Sequence, residues 1–327
     1  MPIRQITLSI ACATLMATAV SAQADYPDRD IRVIVPWAAG GGTDAIVRKL
    51  SSIAEESLPV SMYVENIEGG MSATGLLQLT KARPDGYTIG ALTYDSVITV
   101  PWQGTIPGFG TDQMKLIARV TSEPDAIITS DGAPWKSFDD LIAAAKEKPN
   151  TIRVGIQNMG ARTHLTLLQL QDLTGAQFKI VSYPGGAAPQ KEALLNGEVD
   201  FVITSLGDFA PLIESGKARG LVEFSDKQNE AFPDVPPVSE TDTDIDLQMG
   251  SFIILAAPAR TPDATIETLE TAYHDAFESD EFQQWLPKIG VAPDWLGSGD
   301  VDAWVKQTQE TLFGTMDELA EQGILSK

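Results

Sequence analysis

The chain has 327 residues, of which 45 are acidic and 23 are basic, so its formal net charge is −22 at neutral pH. A field of this sign repels nucleic acid and anionic lipid, and the composition therefore excludes both as expected partners. A chain of this length exceeds what one hydrophobic core usually serves, which predicts two lobes.

The N-terminal segment predicts export. Arg4 precedes an apolar run over residues 6–20, and the small-x-small pattern read by signal peptidase ends at Ala24. Because the run is too short to span a membrane stably, we predict a signal peptide over residues 1–24, cleaved after Ala24, and a periplasmic protein. Cleavage removes Cys12, the single cysteine. No later apolar run reaches roughly 20 residues, so we expect no direct membrane insertion.

Strand and helix patterns then alternate along the chain. Residues 31–35, 61–64 and 87–92 are apolar runs typical of buried strands, and apolar residues at helical spacing follow the first two runs. This β-α-β-α-β order predicts parallel pairing in a first lobe. Residues 116–120 and 126–129 predict two strands that leave the first lobe for a second one.

A second alternating set follows this crossing. Ser137 begins an alanine-rich helix with a capping-box pattern. Further strand patterns occupy residues 152–156, 178–182, 199–204, 220–224 and 251–257. Only amphipathic helices are predicted after the last of these strands, and we expect those helices to pack back on the first lobe.

Two loops share a device that holds anions. In residues 37–44 and 158–164, a strand is followed by a short loop containing glycine and then by a helix start. Glycine lets the backbone approach a ligand closely, and the first N–H groups of a helix have no acceptor within it. In open parallel sheets such loops lie at the carboxyl ends of the strands, where ligands bind. One loop in each lobe predicts a clamp of two opposed anion sites.

Three side chains in these loops have two interpretations each. Arg162 either pairs with a ligand carboxylate or is a solvated arginine in the first turn of its helix. Trp37 either forms a flat wall against the ligand or packs on the first helix. His164 either touches the ligand or bonds to nearby backbone, and we favour the backbone bond.

Catalytic patterns are scarce. Residues 40–45 match the G-x-G-x-x-A pattern of dinucleotide sites. The export signal, however, lacks the twin-arginine pair of proteins shipped with a cofactor, so we predict no cofactor. The histidines, His164 and His274, lie in no recognised nucleophile or metal motif, which favours a protein that is not an enzyme and has no metal site. An exported hydrolase or lyase with an unrecognised active site is the alternative.

Several motifs, taken in order, resemble one family. They are IRVIVPWAAGGGTD at residues 31–44, RPDGYT at 83–88, YPG at 183–185, GEVD at 197–200 and FPDVP at 232–236. The ordered set is similar to Bug-type receptors, the solute-binding proteins of tripartite tricarboxylate transporters. The resemblance covers essentially the whole mature chain.

The resemblance implies an α/β fold of the two-lobed periplasmic-binding-protein (Venus-flytrap) class, with two mainly parallel sheets joined by crossing strands. Residues 25–123 and 253–327 would form lobe 1, and residues 124–252 would form lobe 2. It also implies a monomer that captures a small mono- or dicarboxylate, without chemistry, for integral membrane transporter subunits. A receptor that signals to a sensor kinase instead stays open.

The resemblance also indicates the ligand contacts, to which the loop argument adds Arg162. The expected ligand-binding residues are Trp37, Ala39, Gly41, Gly42, Thr43, Asp44, Ser96, Gly160, Ala161, Arg162, Thr163, Tyr183, Gly185, Thr204 and Ser205. Two departures leave the identity of the acid open. Ala161 stands where the family commonly has a hydroxyl residue, and Pro184 stands where it commonly has a lysine.

Overall fold

The structure is a computed structural model that describes residues 26–183 and 187–325. The predicted signal peptide and its cleavage site therefore lie outside the described residues. The strands are β1 (Ile31–Val35), β2 (Met62–Asn66), β3 (Thr88–Leu92), β4 (Met114–Ser130), β5 (Arg153–Ile156), β6 (Lys179–Ser182), β7 (Phe201–Ser205), β8 (Ala218–Glu223), β9 (Gly250–Pro258) and β10 (Ala292–Gly297). The helices are α1 (Gly42–Ala54), α2 (Ala73–Thr80), α3 (Val100–Gln103), α4 (Phe138–Glu147), α5 (Arg162–Thr174), α6 (Ala187–Leu195), α7 (Leu206–Glu214), α8 (Asp263–Glu278), α9 (Asp280–Trp285) and α10 (Ser298–Glu321).

The first sheet begins with the three N-terminal strands. β1 lies between β2 and β3, and both pairings are parallel, as the sequence predicts. β9 then pairs antiparallel with β3, and the first part of β4 pairs antiparallel with β9 and with β10. The prediction of helices alone after β9 is wrong at β10. That segment contains a proline and a glycine and does not alternate, so it lacks the strand pattern.

The second sheet shares β4 with the first. β5 pairs parallel with β6 and with β7, whereas β7 and β8 pair antiparallel with the second part of β4. The two strands predicted over residues 116–129 are therefore one strand of 17 residues. Parallel pairing occupies the outer strands of each sheet, and antiparallel pairing occurs where β4 and β9 connect the sheets.

Asp125 marks the crossing point, because its backbone bonds to both segments that pass between the sheets. Its N–H donates to the Met249 carbonyl at 2.7 Å, and its carbonyl accepts the N–H of Phe224 at 2.7 Å. These bonds keep β4 extended through Pro124, a residue that locally suggests a break. The lobe boundaries, residues 25–123 with 253–327 and residues 124–252, stay a prediction.

Side chains alternate across the first sheet as strand geometry requires. Ile31 and Val33 pack with the apolar residues of α1 and α8, whereas Ile34 packs with Leu76 of α2 on the opposite face. α8 thus returns to the N-terminal part of the chain. Among residues 26–183 and 187–325, no helix has both the length and the apolarity that a membrane crossing needs.

Gly250 is the first residue of β9 and lies opposite Pro124 of β4. A Cβ at this position would meet the Glu123 carbonyl oxygen and would lie 2.6 Å from Cα of Pro124. Backbone atoms cannot rotate away as a side chain can. Gly250→Ala is therefore expected to lower the free energy of unfolding by about 1–3 kcal/mol, measured by urea denaturation.

Gly299→Ala is the matched control. Its Cβ would have no atom within 4 Å, and it lies in the first turn of α10. Adding a methyl group there is expected to leave stability unchanged or raise it by up to about 1 kcal/mol. Equal stability of the two variants would contradict the close approach at Gly250.

Candidate functional site

The loop between β1 and α1 is held from inside by Asp44. Gly40 has a left-handed φ of 81°, and its N–H donates to Asp44 Oδ2 at 2.9 Å. Arg48 Nη2 and Asn66 Nδ2 donate to Asp44 Oδ1 at 2.7 and 3.0 Å. Burial tends to raise the pKa of Asp44, but these hydrogen bonds outweigh the burial and hold the pKa below its ordinary value. The carboxylate of Asp44, a predicted ligand contact, is thus engaged with its own loop.

The start of α1 is open to solvent. Its N-cap is Gly41, which supplies no side-chain cap, and Ala39, Gly41 and Gly42 are exposed while Thr43 is half-buried. The first N–H groups of a helix have no acceptor within it, and the positive end of the helix dipole lies behind them. This loop therefore presents an accessible anion site.

The loop before α5 repeats the same local construction. Gly160 has a left-handed φ of 77°, and its N–H donates to His164 Nδ1 at 3.0 Å. The favoured interpretation of His164, a bond to nearby backbone, is confirmed. Thr163 Oγ1 accepts the N–H of Gln157 at 3.0 Å. Burial lowers the pKa of His164, which favours the neutral ring that this acceptor role requires.

The start of α5 is covered, in contrast to that of α1. Its N-cap, Ala161, supplies no side-chain cap, and the N–H of Arg162 faces the carboxyl group of Asp95, on whose pKa it has a lowering effect. Gln103 Nε2 lies 3.1 Å from the position a Cβ on Gly160 would take. Ala161 and Thr163 are buried. The two predicted anion sites are therefore not equivalent, because a carboxylate of the protein already lies at the second.

The guanidinium of Arg162 is turned toward the crossing point. It forms an ion pair with Asp125, whose Oδ2 accepts the Thr166 hydroxyl at 2.7 Å. The Arg162 side chain is only 9% exposed, and that of Asp125 is fully buried. The guanidinium is therefore not solvated, which overturns that interpretation, and a contact between Arg162 and a ligand stays a prediction.

A chain of hydroxyl groups lies behind the first loop. Trp37 Nε1 donates to Thr93 Oγ1 at 3.1 Å, and the Thr93 N–H donates to Ser96 Oγ at 3.1 Å. Ser96 Oγ donates in turn to Ser72 Oγ at 3.1 Å. Ser96 is fully buried, and its contact with a ligand stays a prediction. Sequence reasoning missed Thr93 and Ser72, since isolated hydroxyl residues carry no pattern.

The remaining predicted contacts belong to the second sheet. Tyr183 is half-buried, and its hydroxyl donates to Glu198 at 3.3 Å. Thr204 and Ser205 are buried at the end of β7, where the Thr204 hydroxyl donates to Asp208. Gly185 lies outside the described residues. No contact of these residues with a ligand is tested, so their roles stay predictions.

Four carboxylates that sequence reasoning missed surround Arg162. They are Asp95, Glu123, Asp125 and Asp208. Burial raises the pKa of Asp95, and burial together with the charge of Asp208 raises the pKa of Glu123 to about 7. The structure thus places several carboxyl groups near one cation, two of them with a raised pKa. In the described part of the chain, no group of three or more metal-ligating side chains is arranged to hold a metal ion.

Comparison with known proteins identifies the family. The family model described as tripartite tricarboxylate transporter family receptor matches residues 46–321. The chain belongs to this family. It is 28% identical over 304 residues to the UPF0065 protein in the gbd 5' region of Cupriavidus necator, covering 93% of this chain and 91% of that protein. The resemblance to Bug-type receptors is confirmed.

Solved structures confirm the two-lobed fold. The periplasmic binding protein BugD matches with a TM-score of 0.79 and 25% identity, covering 92% of this chain and 100% of BugD. The R. palustris protein Rpa4515, solved with adipate, matches with a TM-score of 0.80 and 24% identity, covering 88% of this chain and 96% of that one. The family and the fold are those of solute-binding receptors rather than enzymes.

Arg162→Met tests the ion pair at the crossing point. The substitution keeps much of the aliphatic bulk but leaves Asp125 buried without its cation. We expect the free energy of unfolding to fall by about 3–5 kcal/mol, measured by urea denaturation.

Arg29→Met is the control for this variant, because the Arg29–Asp85 pair has side chains that are 58% and 35% exposed. Exposed pairs contribute about 0–1 kcal/mol. If the two variants lose the same stability, Arg162 does not have the structural role assigned to it.

The pH dependence of stability tests the His164 bond. Because its pKa is lowered in the folded state, the unfolded state binds the proton more readily once the pH falls below about 6.5. This histidine therefore costs stability as the pH falls from 7 to 5. His164→Asn keeps an acceptor for the Gly160 N–H and is expected to lose less stability than the wild type over that interval, measured by urea denaturation at each pH.

His274→Asn serves as the control. The His274 side chain is 47% exposed, and this variant is expected to follow the wild-type pH profile. Comparing variants with the wild type removes the contribution of carboxylates that titrate in the same interval. A wild-type profile for His164→Asn would contradict the neutral, bonded histidine.

Proposed function

We propose that this protein captures a small organic acid between its two lobes, without converting it, and delivers it to the integral membrane subunits of a tripartite tricarboxylate transporter. The observation that carries the proposal is the exposed, uncapped start of α1 behind Gly40, Gly41 and Gly42. Membership of the receptor family supports the transport role. The adipate held by Rpa4515 supports a carboxylate as ligand.

The ligand carboxylate lies against the first loop in this proposal. The N–H groups of Gly42 and Thr43 donate to it, and the helix dipole favours its charge. Trp37 forms a wall beside the carboxylate. Since its indole N–H is bonded to Thr93, it offers the ring and not the nitrogen. Ala39, Gly41, Gly160 and Tyr183 border the cleft.

The ligand closes the lobes because it makes more contacts in the closed conformation than in the open one. A ligand shifts a protein only toward the conformation that it binds more tightly. Contacts with the first loop on one side and the second sheet on the other provide that difference. The strand β4 and the start of β9 form the hinge between lobe 1 (25–123 and 253–327) and lobe 2 (124–252). The receptor is exported, cleaved after Ala24, and acts as a monomer.

An exported hydrolase or lyase is not favoured by any group in the cleft. His164, the histidine beside the second loop, uses Nδ1 to accept the Gly160 N–H. Asp44 accepts hydrogen bonds from Gly40 in its loop, from Arg48 in α1 and from Asn66 at the end of β2. Both side chains are therefore committed to contacts within the protein.

Gly42→Pro tests the anion site at α1 directly. Proline is favoured at the first helical position and removes one N–H donor. Gly41 has φ −78° and ψ 169°, which suits a residue before proline, and no atom lies within 4 Å of a Cβ at Gly42. The probe is whichever acid gives the largest thermal shift in a screen of organic acids with and without amino groups. We expect its affinity, measured by calorimetry, to fall at least tenfold, or about 1.4 kcal/mol.

Gly42→Ala is the matched control, since it adds a side chain and keeps the N–H. Its affinity is expected to stay within about threefold of the wild type, roughly 0.6 kcal/mol. Equal affinities of the proline and alanine variants would remove the α1 start from the site. A folded protein that binds no acid in the screen would contradict the proposed function itself.

A further inference from the structure

A pocket of about 390 Å³ lies where the strands of the first sheet begin. Arg32 in β1 is opposite Thr88 in β3, and both line the pocket, whereas the loop with Gly40 follows the end of β1. The pocket and the organic-acid site therefore lie at opposite edges of one sheet. The motif RPDGYT at residues 83–88, which has no role in the organic-acid site, contributes to the walls of the pocket. The volume falls within the roughly 300–1,000 Å³ of small-molecule sites.

This pocket is basic, although the chain as a whole is strongly acidic. Its lining contains one acidic residue, Asp85, and four basic residues, Arg29, Arg32, Lys81 and Arg83. The whole chain, in contrast, has 45 acidic and 23 basic residues, so the ratio is inverted here. Charges of one sign that line a concave surface attract the opposite ion, and salt screens the exposed acids elsewhere on the protein beyond roughly 8–10 Å. The basic pocket therefore favours a small anion.

Contacts within the protein orient two of the arginines. Arg29 Nη2 pairs with Asp85 Oδ2 at 3.1 Å, and its guanidinium carbon lies 3.8 Å from the centroid of the Tyr87 ring. Arg32 Nε pairs with Glu65 Oε2 at 2.6 Å. An arginine has five N–H donors, so each guanidinium keeps donors for a ligand. Because their side chains are already restrained, a ligand has less conformational freedom to remove when it binds.

Lys81 and Arg83 supply positive charge that the protein does not neutralise. Both residues are exposed, and neither forms an ion pair with any residue that the structure describes. Lys81 is the C-cap of α2, where a cation also complements the helix dipole. Arg83 lies beyond the helix, so the dipole does not account for its charge. These two cations can pair with an anion from outside the protein.

We propose that the basic pocket binds a phosphate group, either as inorganic phosphate or as a small phosphate ester. The planar fork of a guanidinium bonds two phosphate oxygens at once, and the ammonium group of Lys81 adds further donors. A phosphate monoester carries about −1.5 to −2 charges at pH 7, which matches the two cations without ion-pair partners. A carboxylate has one charge and two oxygens and would satisfy fewer donors. The net charge of −22 repels an anionic membrane, which favours a small anion over a lipid headgroup.

Calorimetry with inorganic phosphate tests the inference at pH 7, in low salt and without an organic acid. We expect the wild-type protein to bind phosphate, and the double variant Lys81→Gln/Arg83→Gln to bind it at least about tenfold more weakly, because both unpaired cations are removed. Both side chains are exposed, so the double variant is expected to keep the wild-type midpoint in urea denaturation. A wild-type protein that does not bind phosphate would overturn the inference and leave the organic-acid site unaffected.

Lys146→Gln/Lys148→Gln is the matched control, because it changes the net charge equally at two exposed lysines at the end of α4. Its affinity for phosphate is expected to stay within about threefold of the wild type. Equal losses in the two double variants would show that net charge alone attracts the anion. Loss of phosphate binding in Gly42→Pro but not in Lys81→Gln/Arg83→Gln would place the anion in the cleft. Sedimentation with phosphatidylglycerol vesicles, when inorganic phosphate does not bind, would indicate a lipid headgroup. Each of these three outcomes would overturn the inference.

Discussion

The buried ion pair between Arg162 and Asp125 is the interaction on which the arrangement of the cleft depends. Removing two charges from water costs several kcal/mol per ion, and this pair lies where β4 passes from one sheet to the other. The backbone of Asp125 bonds to Met249 and Phe224, so the side chain of Arg162 ties α5 to both crossing segments. The first N–H of α5 faces Asp95, so a carboxyl group of the protein lies at the second predicted anion site.

The two Gly loops show how the same local construction serves two different purposes. In each, a glycine with left-handed φ donates its N–H to the side chain four residues later, Asp44 in one loop and His164 in the other. That bond fixes the helix start without using its first N–H groups. At α1 these groups are open to solvent, and at α5 the first of them faces Asp95. The two helix starts differ because Asp95, from the segment after β3, lies near the start of α5, and not because the two loops differ in construction.

Local sequence patterns were sufficient to predict most of the helices and strands and the two glycine-containing loops. Apolar runs predicted most of the strands, and a histidine at a helix start was correctly expected to bond to nearby backbone. The continuity of β4 was missed because Pro124 and Asp125 look like a break, and only their long-range backbone partners keep the strand extended. The partner of Arg162 is 37 residues away along the chain, and no local pattern indicates it. The acids around Arg162 are hidden in the sequence by 45 acidic residues spread over the whole chain.

A crystal structure of the complex with the tightest-binding acid tests the central claim most directly, because it shows which helix start the ligand carboxylate occupies. The account predicts that the carboxylate lies about 3 Å from the N–H groups of Gly42 and Thr43, with Asp95 still at the N–H of Arg162 and Asp125 still paired with its guanidinium. A ligand carboxylate bound at the start of α5 or on the Arg162 guanidinium, with Asp95 or Asp125 displaced, would contradict it.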